Sequence, residues 1–270
     1  MSQFILSCTT CATRMPPKDE ISECFIHAPK AGYKAWGVAG PLVGTPGLAQ
    51  WADADLINRR AKEVGLDRCT EVYGPAFPTD SVAAAQRAAM DVAMMFDLAE
   101  KLGSPLVVIT GRKRAASGLE ATIAGIEALL PLIEHRPVRL ALEPHYGSQI
   151  QNIEDYDAIF DQIETPQVGI TLDSGHMHSA KVNWKQLIDR YAERIYNFHV
   201  KDHVGTQSVP IGRGEVDLKG YIEALHAINY EGALAVELEV EDPENLSRYC
   251  AEAFVYLRKL VKDVTGELPA

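Results

Sequence analysis

Arg139-Leu-Ala-Leu-Glu143, Val168-Gly-Ile-Thr-Leu-Asp173, Ile195-Tyr-Asn-Phe-His199 and Leu234-Ala-Val-Glu237 are short apolar runs, each closed by a residue able to bind a divalent metal. Such a run of aliphatic or β-branched residues, bounded by a polar residue, reads as a buried parallel strand. The segments between the runs have the length and pattern of one crossover helix each, as a right-handed βαβ connection requires. The four polar residues then emerge on one side of one sheet, at strand C-terminal ends, where parallel α/β folds bind ligands. Taken singly, a Glu closing a strand is a helix-cap partner or half of a salt bridge, and a His is a packed core residue. Four in succession on a buried rim are costly unless a cation compensates them. Glu143, Asp173, His199 and Glu237 are therefore read as ligands of one divalent ion. Their oxygen and nitrogen donors suit Mn, the first expectation, and also Mg, Co or Zn.

Upstream of these runs, residues 4–9, 33–38, 68–73 and 105–110 read as four further strands. Helical patterns fall near 18–31, 51–64, 80–102 and 119–135, and then near 153–162, 184–191, 218–228 and 243–264. Thr79 or Asp80 is the expected cap of the third. Eight βα units in 270 residues match a (β/α)8 TIM barrel, an α/β fold expected as one domain over 1–270. The Gly/Pro-rich loops at 39–48 and 74–78 follow strands and are expected to border the ligand cavity. So does the cationic loop Gly111-Arg112-Lys113-Arg114, a candidate contact for a polar or anionic substrate.

With 47% apolar and 23% charged residues the chain has a globular composition, without repeats or low complexity. No apolar run is long enough to span a membrane, and no secretion signal opens the chain, so the expectation is a cytoplasmic protein with no membrane partner. A formal charge of −11 repels phosphate backbones and argues against nucleic acid. The cysteines, Cys8, Cys11, Cys24, Cys69 and Cys250, are odd in number and lack a framework spacing, which fits reduced thiols. Cys8-Thr-Thr-Cys11 has a redox or zinc-knuckle spacing, but no second pair completes it and Cys8 lies inside a strand.

Leu-Glu143-Pro-His145, Leu-Asp173-Ser-Gly-His176, Phe-His199-Val-Lys201-Asp202, Ile-Gly212-Arg213-Gly214-Glu215-Val-Asp217 and Val-Glu237 together resemble the xylose isomerase-like TIM barrel superfamily of sugar phosphate isomerases and epimerases. The resemblance covers essentially the whole chain, with its specific motifs in the second half. It implies one divalent cation held by Glu143, Asp173, His199 and Glu237, with Glu143 and Glu237 as acid and base on opposite faces of a bound ketose. It also implies a substrate contact from His176, with a hydrogen bond to a ligand as the alternative. The His-Val-Lys201-Asp tetrapeptide is similar to the inosose isomerase and dehydratase members. Ketohexose epimerases carry an arginine six residues after the metal histidine, where this chain has Gly205, and Arg213 is the candidate replacement between two glycines. Lys201 and His145 complete the expected substrate-binding set, His145 as a further acid, base or hydrogen-bond donor to a hydroxyl.

The leading expectation is a metal-dependent isomerase or epimerase of a small polyhydroxy ketone, sugar or cyclitol, working through an enediolate. A dehydratase or lyase that forms the same enediolate and expels a β-hydroxyl is the alternative, with His145, His176 or Lys201 as acid. A phosphodiesterase like the barrel endonucleases of abasic DNA is disfavoured, because those assemble three zincs from many more histidines, only some of the eight here stand at strand ends, and the acidic charge argues against DNA. A binding protein without activity fits poorly with an intact ligand set. Association into a homo-oligomer is a family-level expectation.

Overall fold

The computed structural model describes residues 4–14, 18–39 and 51–270. In chain order the strands are β1 (Phe4–Thr9), β2 (Ala35–Val38), β3 (Arg68–Tyr73), β4 (Leu106–Thr110), β5 (Arg139–Glu143), β6 (Val168–Asp173), β7 (Ile195–Val200), β8 (Asp202–Val204), β9 (Gln207–Val209) and β10 (Gly232–Val236). All but β8 and β9 pair in parallel into a closed barrel, with β10 lying between β7 and β1. β8 and β9 form a separate antiparallel hairpin just above β7. The helices are α1 (Glu20–Ala31), α2 (Ala54–Glu63), α3 (Val82–Leu102), α4 (Gly118–Ile133), α5 (Ile153–Phe160), α6 (Ser174–Ala180), α7 (Trp184–Tyr191), α8 (Leu218–Ala227) and α9 (Leu246–Thr265). The hairpin and α6 are additions to the expected eight units. None of these helices is long and apolar enough to cross a membrane.

Local chemistry sets the boundaries. Asp19 accepts a hydrogen bond from the Ser22 amide to start α1, and Gly32 ends it in the left-handed region at φ 112°. For α3 the cap is Ser81, which accepts from the Ala84 amide, rather than the expected Thr79 or Asp80.

Buried apolar side chains divide into two bodies. The large one fills the layer between strands and helices, while Leu106, Val108, Ala141 and Tyr196 form a smaller one with Tyr73 against it. Val108 and Ala141 precede Thr110 and Glu143 by two residues, so by strand alternation this smaller body plugs the barrel beneath the site. Gly169 makes room for it, since a Cβ there would overlap the Tyr196 ring.

Two irregularities matter for what lies above the plug. β2 and β3 pair Trp36 with Cys69 and then Val38 with Val72, so Thr70 and Glu71 face Gly37 alone. That is the count of a β-bulge, a device that re-aims side chains next to sites. A Cβ at Gly37 would come 2.7 Å from Glu71 Cγ, so the glycine leaves space for that carboxylate. A second register shift separates the Ile170–Ile195 pair from Thr171–Asn197, after which Asp173 pairs with His199.

All five cysteines are free and buried. The loop expected at 39–48 lies, beyond Ala39, outside the described residues. In the 74–78 loop, Phe77 is buried against Gly125 of α4.

Candidate metal centre

Glu143 is the last residue of β5, Asp173 the last of β6, His199 the fifth of β7, and Glu237 the first beyond β10. These strands are neighbours in the barrel, in the order β10-β7-β6-β5. The Glu237 amide donates to the Val200 carbonyl at 3.2 Å, which continues the ladder and keeps its side chain level with the others. One ligand atom from each of the four residues lies within 4.8 Å of every other, and all four are buried.

His199 Nδ1 faces this cluster. It is 2.6 Å from Glu143 Oε1, 3.6 Å from Glu237 Oε2 and 3.9 Å from Asp173 Oδ2. Its Nε2 points the other way, to Glu71 Oε2 at 2.7 Å. Glu71 also accepts from the Asn197 side-chain Nδ2, and the Tyr73 ring lies against the imidazole with centroids 5.8 Å apart. The Tyr73 hydroxyl donates to Glu143 Oε2. Asp173 divides its oxygens: Oδ1 accepts from the His176 amide at 2.7 Å and caps α6, whereas Oδ2 accepts no hydrogen bond and has the Lys201 ammonium at 3.2 Å.

Lys201 is 2% exposed and stands among carboxylates, with Nζ 2.8 Å from Glu237 Oε2 and 3.1 Å from Glu239 Oε2. Its fourth neighbour is His176 Nε2 at 3.2 Å. The His176 ring lies against that of His145, centroids 3.6 Å apart. Both histidines open onto a cavity of about 430 Å³ that is also lined by His203, Glu239 and Glu241.

Burial and charge act on these groups in opposite senses. Burial pushes the Glu143 carboxyl up to about 8, although His199 and Lys201 pull it down. Burial also works against charge on Asp173 and Glu237, but Lys201 holds Asp173 well below the usual carboxylate range, and His199 with Lys201 keep Glu237 below its ordinary value. His199 and Lys201 are raised despite burial, the first by Glu237, Glu71 and Glu143, the second by Asp173, Glu237 and Glu239. His176 drops to about 3 through burial and the nearby ammonium.

A divalent ion fits this donor set. Three carboxylates and an imidazole converge, one buried carboxylate oxygen accepts no hydrogen bond, and the far nitrogen of the histidine is tied to a carboxylate, as oriented metal histidines are.

The expected site residues thus fall into two groups. Glu143, Asp173, His199, Glu237, His145, His176 and Lys201 come together. Arg213 does not join them: its guanidinium pairs with Glu252 on α9 at 2.5 Å and lies 5.2 Å from the Tyr249 ring centroid. The flanking glycines approach Asp202 instead of a ligand. Gly212 and Gly214 both donate backbone N–H to Asp202 Oδ2 at 2.8 Å, and a Cβ on Gly214 would overlap that carboxylate. In the cationic loop, Arg112 to Arg114 are exposed and Arg114 pairs with Asp155. Glu71, Tyr73 and Glu239 went unread in the sequence. Glu71 carries a usable signal, a carboxylate in mid-strand with no solvent to face once the barrel closes.

Comparison with known proteins places this geometry. The chain is 27% identical over 159 residues to an inosose dehydratase of Geobacillus thermodenitrificans, a match spanning 51% of this chain and 53% of that protein. It therefore spans about half the length of that relative. Among solved structures, the IolI protein with a bound zinc atom superposes with a TM-score of 0.77 at 17% identity, over 97% of this chain and 100% of the other. A D-allulose 3-epimerase from Methylomonas sp., solved with D-allulose, gives 0.77 at 16% identity over 94% and 96%. At such identities these structures show a shared fold. Residues 26–260 match the family model of the xylose isomerase-like TIM barrel, and the chain belongs to that family.

Proposed function

We propose that the protein is a divalent-metal-dependent enzyme acting on a small polyhydroxy ketone, a keto-sugar or a keto-cyclitol, through an enediolate. Glu143, Asp173, His199 and Glu237 would hold the ion, whose chemistry is to polarise a substrate carbonyl and hydroxyl and so acidify the neighbouring C–H. One observation carries the reading: Glu143 and Glu237 stand in one buried cluster with Asp173 and His199, each of the four offering a ligand atom within 4.8 Å of every other. With one oxygen of each carboxylate on the ion, the other would be free to take or give a proton. Glu237 is then the base that removes the α-proton, with the Lys201 ammonium at 2.8 Å favouring its charged form. Glu143 returns a proton at the neighbouring carbon or oxygen, its Oε2 kept in place by the Tyr73 hydroxyl. Proton removal at one carbon and return at another is isomerisation, and return to the opposite face of the same carbon is epimerisation.

A second outcome, dehydration, is supported by the His145–His176 pair and the Lys201 ammonium behind it. There the same enediolate expels a β-hydroxyl, which leaves as water with a proton passed from Lys201 through His176. The inosose dehydratase relative is consistent with that branch. The test is NMR in deuterated water with manganese- or zinc-loaded protein and a panel of ketohexoses and inososes. Isomerisation or epimerisation yields a product of unchanged composition carrying deuterium, whereas dehydration yields one lacking a water. No exchange and no product from any ketone, with metal bound, overturns the proposal.

A further inference from the structure

The charge at the mouth of the site bears on the charge of the substrate, given the reading above that the site takes a polyhydroxy ketone. Among the described residues the cavity wall contributes two carboxylates, Glu239 and Glu241, and neither lysine nor arginine. The ammonium beneath it, Lys201, is already surrounded by Asp173, Glu237, Glu239 and His176 at 2.8–3.2 Å. His176, Glu239 and Glu237 take its three N–H donors, with Asp173 Oδ2 close by as a further negative charge, which leaves none for an incoming anion. Of the other cations expected at the site, Arg114 pairs with Asp155 and Arg213 with Glu252, while Arg112 and Lys113 are exposed and are not part of the cavity wall. The stretch from 40 to 50 contains no lysine or arginine. Glu143, Asp173, Glu237, Glu239 and Glu241 outnumber Lys201 and a divalent ion together in charge, so the pit stays negative after loading.

A carboxylate is an acceptor only, and two at one wall suit adjacent hydroxyl donors. A phosphate or carboxylate in the same place would meet like charge in a partly desolvated space. We propose that the site selects an uncharged polyol ketone, that Glu239 and Glu241 receive its ring hydroxyls, and that phosphorylated and carboxylated analogues are rejected.

Binding measured on the manganese-loaded full chain tests this with matched probes: myo-inositol against myo-inositol 1-phosphate, and D-fructose against D-fructose 6-phosphate. Calorimetry or ligand-observed NMR should show the neutral member bound about tenfold or more tightly, with added salt narrowing the gap. Glu241→Lys should narrow it further and Glu241→Gln partly. Equal or tighter binding of the phosphorylated members, or no binding of either myo-inositol or fructose, overturns the proposal. The inositol pair cannot enolise, so its result stands whether or not deuterium exchange bears out the reaction itself.

Discussion

His199 is held at both ring nitrogens, Nδ1 toward three carboxylates and Nε2 at 2.7 Å from Glu71, and this double grip fixes which nitrogen is offered to a cation. A partner that orients a metal histidine typically contributes about 10–100-fold to affinity. Glu71→Gln should therefore weaken manganese or zinc binding by about that factor in a competition titration with a chelator, while Asp173→Asn, which removes a ligand charge, should cost more. Wild-type affinity in Glu71→Gln would remove its orienting role. Protonation supplies an independent check. Burial raises Glu143 to about 8, so near neutral pH the metal-free carboxyl holds a proton that a cation must displace. Affinity should climb with pH, and calorimetry in buffers of different ionisation enthalpy should report about one to two protons released per ion, from Glu143 and from His199, which is raised as well. Zero release would contradict a ligand role for both Glu143 and His199.

At the scale of elements, β3 shows how a strand irregularity builds a site. The bulge opposite Gly37 turns Glu71 toward His199, and regular alternation then brings Tyr73 to Glu143. Gly37→Ala would press on Glu71 Cγ and should destabilise the fold by roughly 1–3 kcal/mol, as overpacking does. It should also lower metal affinity although it touches no ligand. Thermal unfolding with and without metal measures both, and unchanged affinity in a folded Gly37→Ala variant would show that Glu71 tolerates the shift. The sequence marks Glu71 as a carboxylate in mid-strand but does not say what it faces. Glu143, Asp173, His199 and Glu237 were legible because each closes an apolar run and strand ends share a rim, whereas Glu71 depends on a bulge that leaves no local mark. Arg213 misled for a related reason: glycines on either side of it signal close backbone approach, but not to what, and the partner is Asp202. The short helix α6 was hidden by Gly175 and by a length of seven residues.

For the molecule as a whole, the four candidate ligands sit on four adjacent strands, all from the second half of the chain, and the first half supplies supporting side chains. A bound ion therefore ties β5, β6, β7 and β10 to one another. Metal at about a hundred times its dissociation constant should stabilise the fold by about 2.7 kcal/mol. Hydrogen exchange should slow most in those four strands and least in β2 and β4; uniform slowing would argue that the barrel opens only as a unit. Lys201 bears on when such an ion could enter. Asp173 and Glu237 meet across an ammonium that the chain carries itself, so their mutual repulsion is already quenched when the barrel closes. The polypeptide need not wait for an ion in order to fold. A barrel that closes around its own counter-ion would offer an arriving metal a finished cavity.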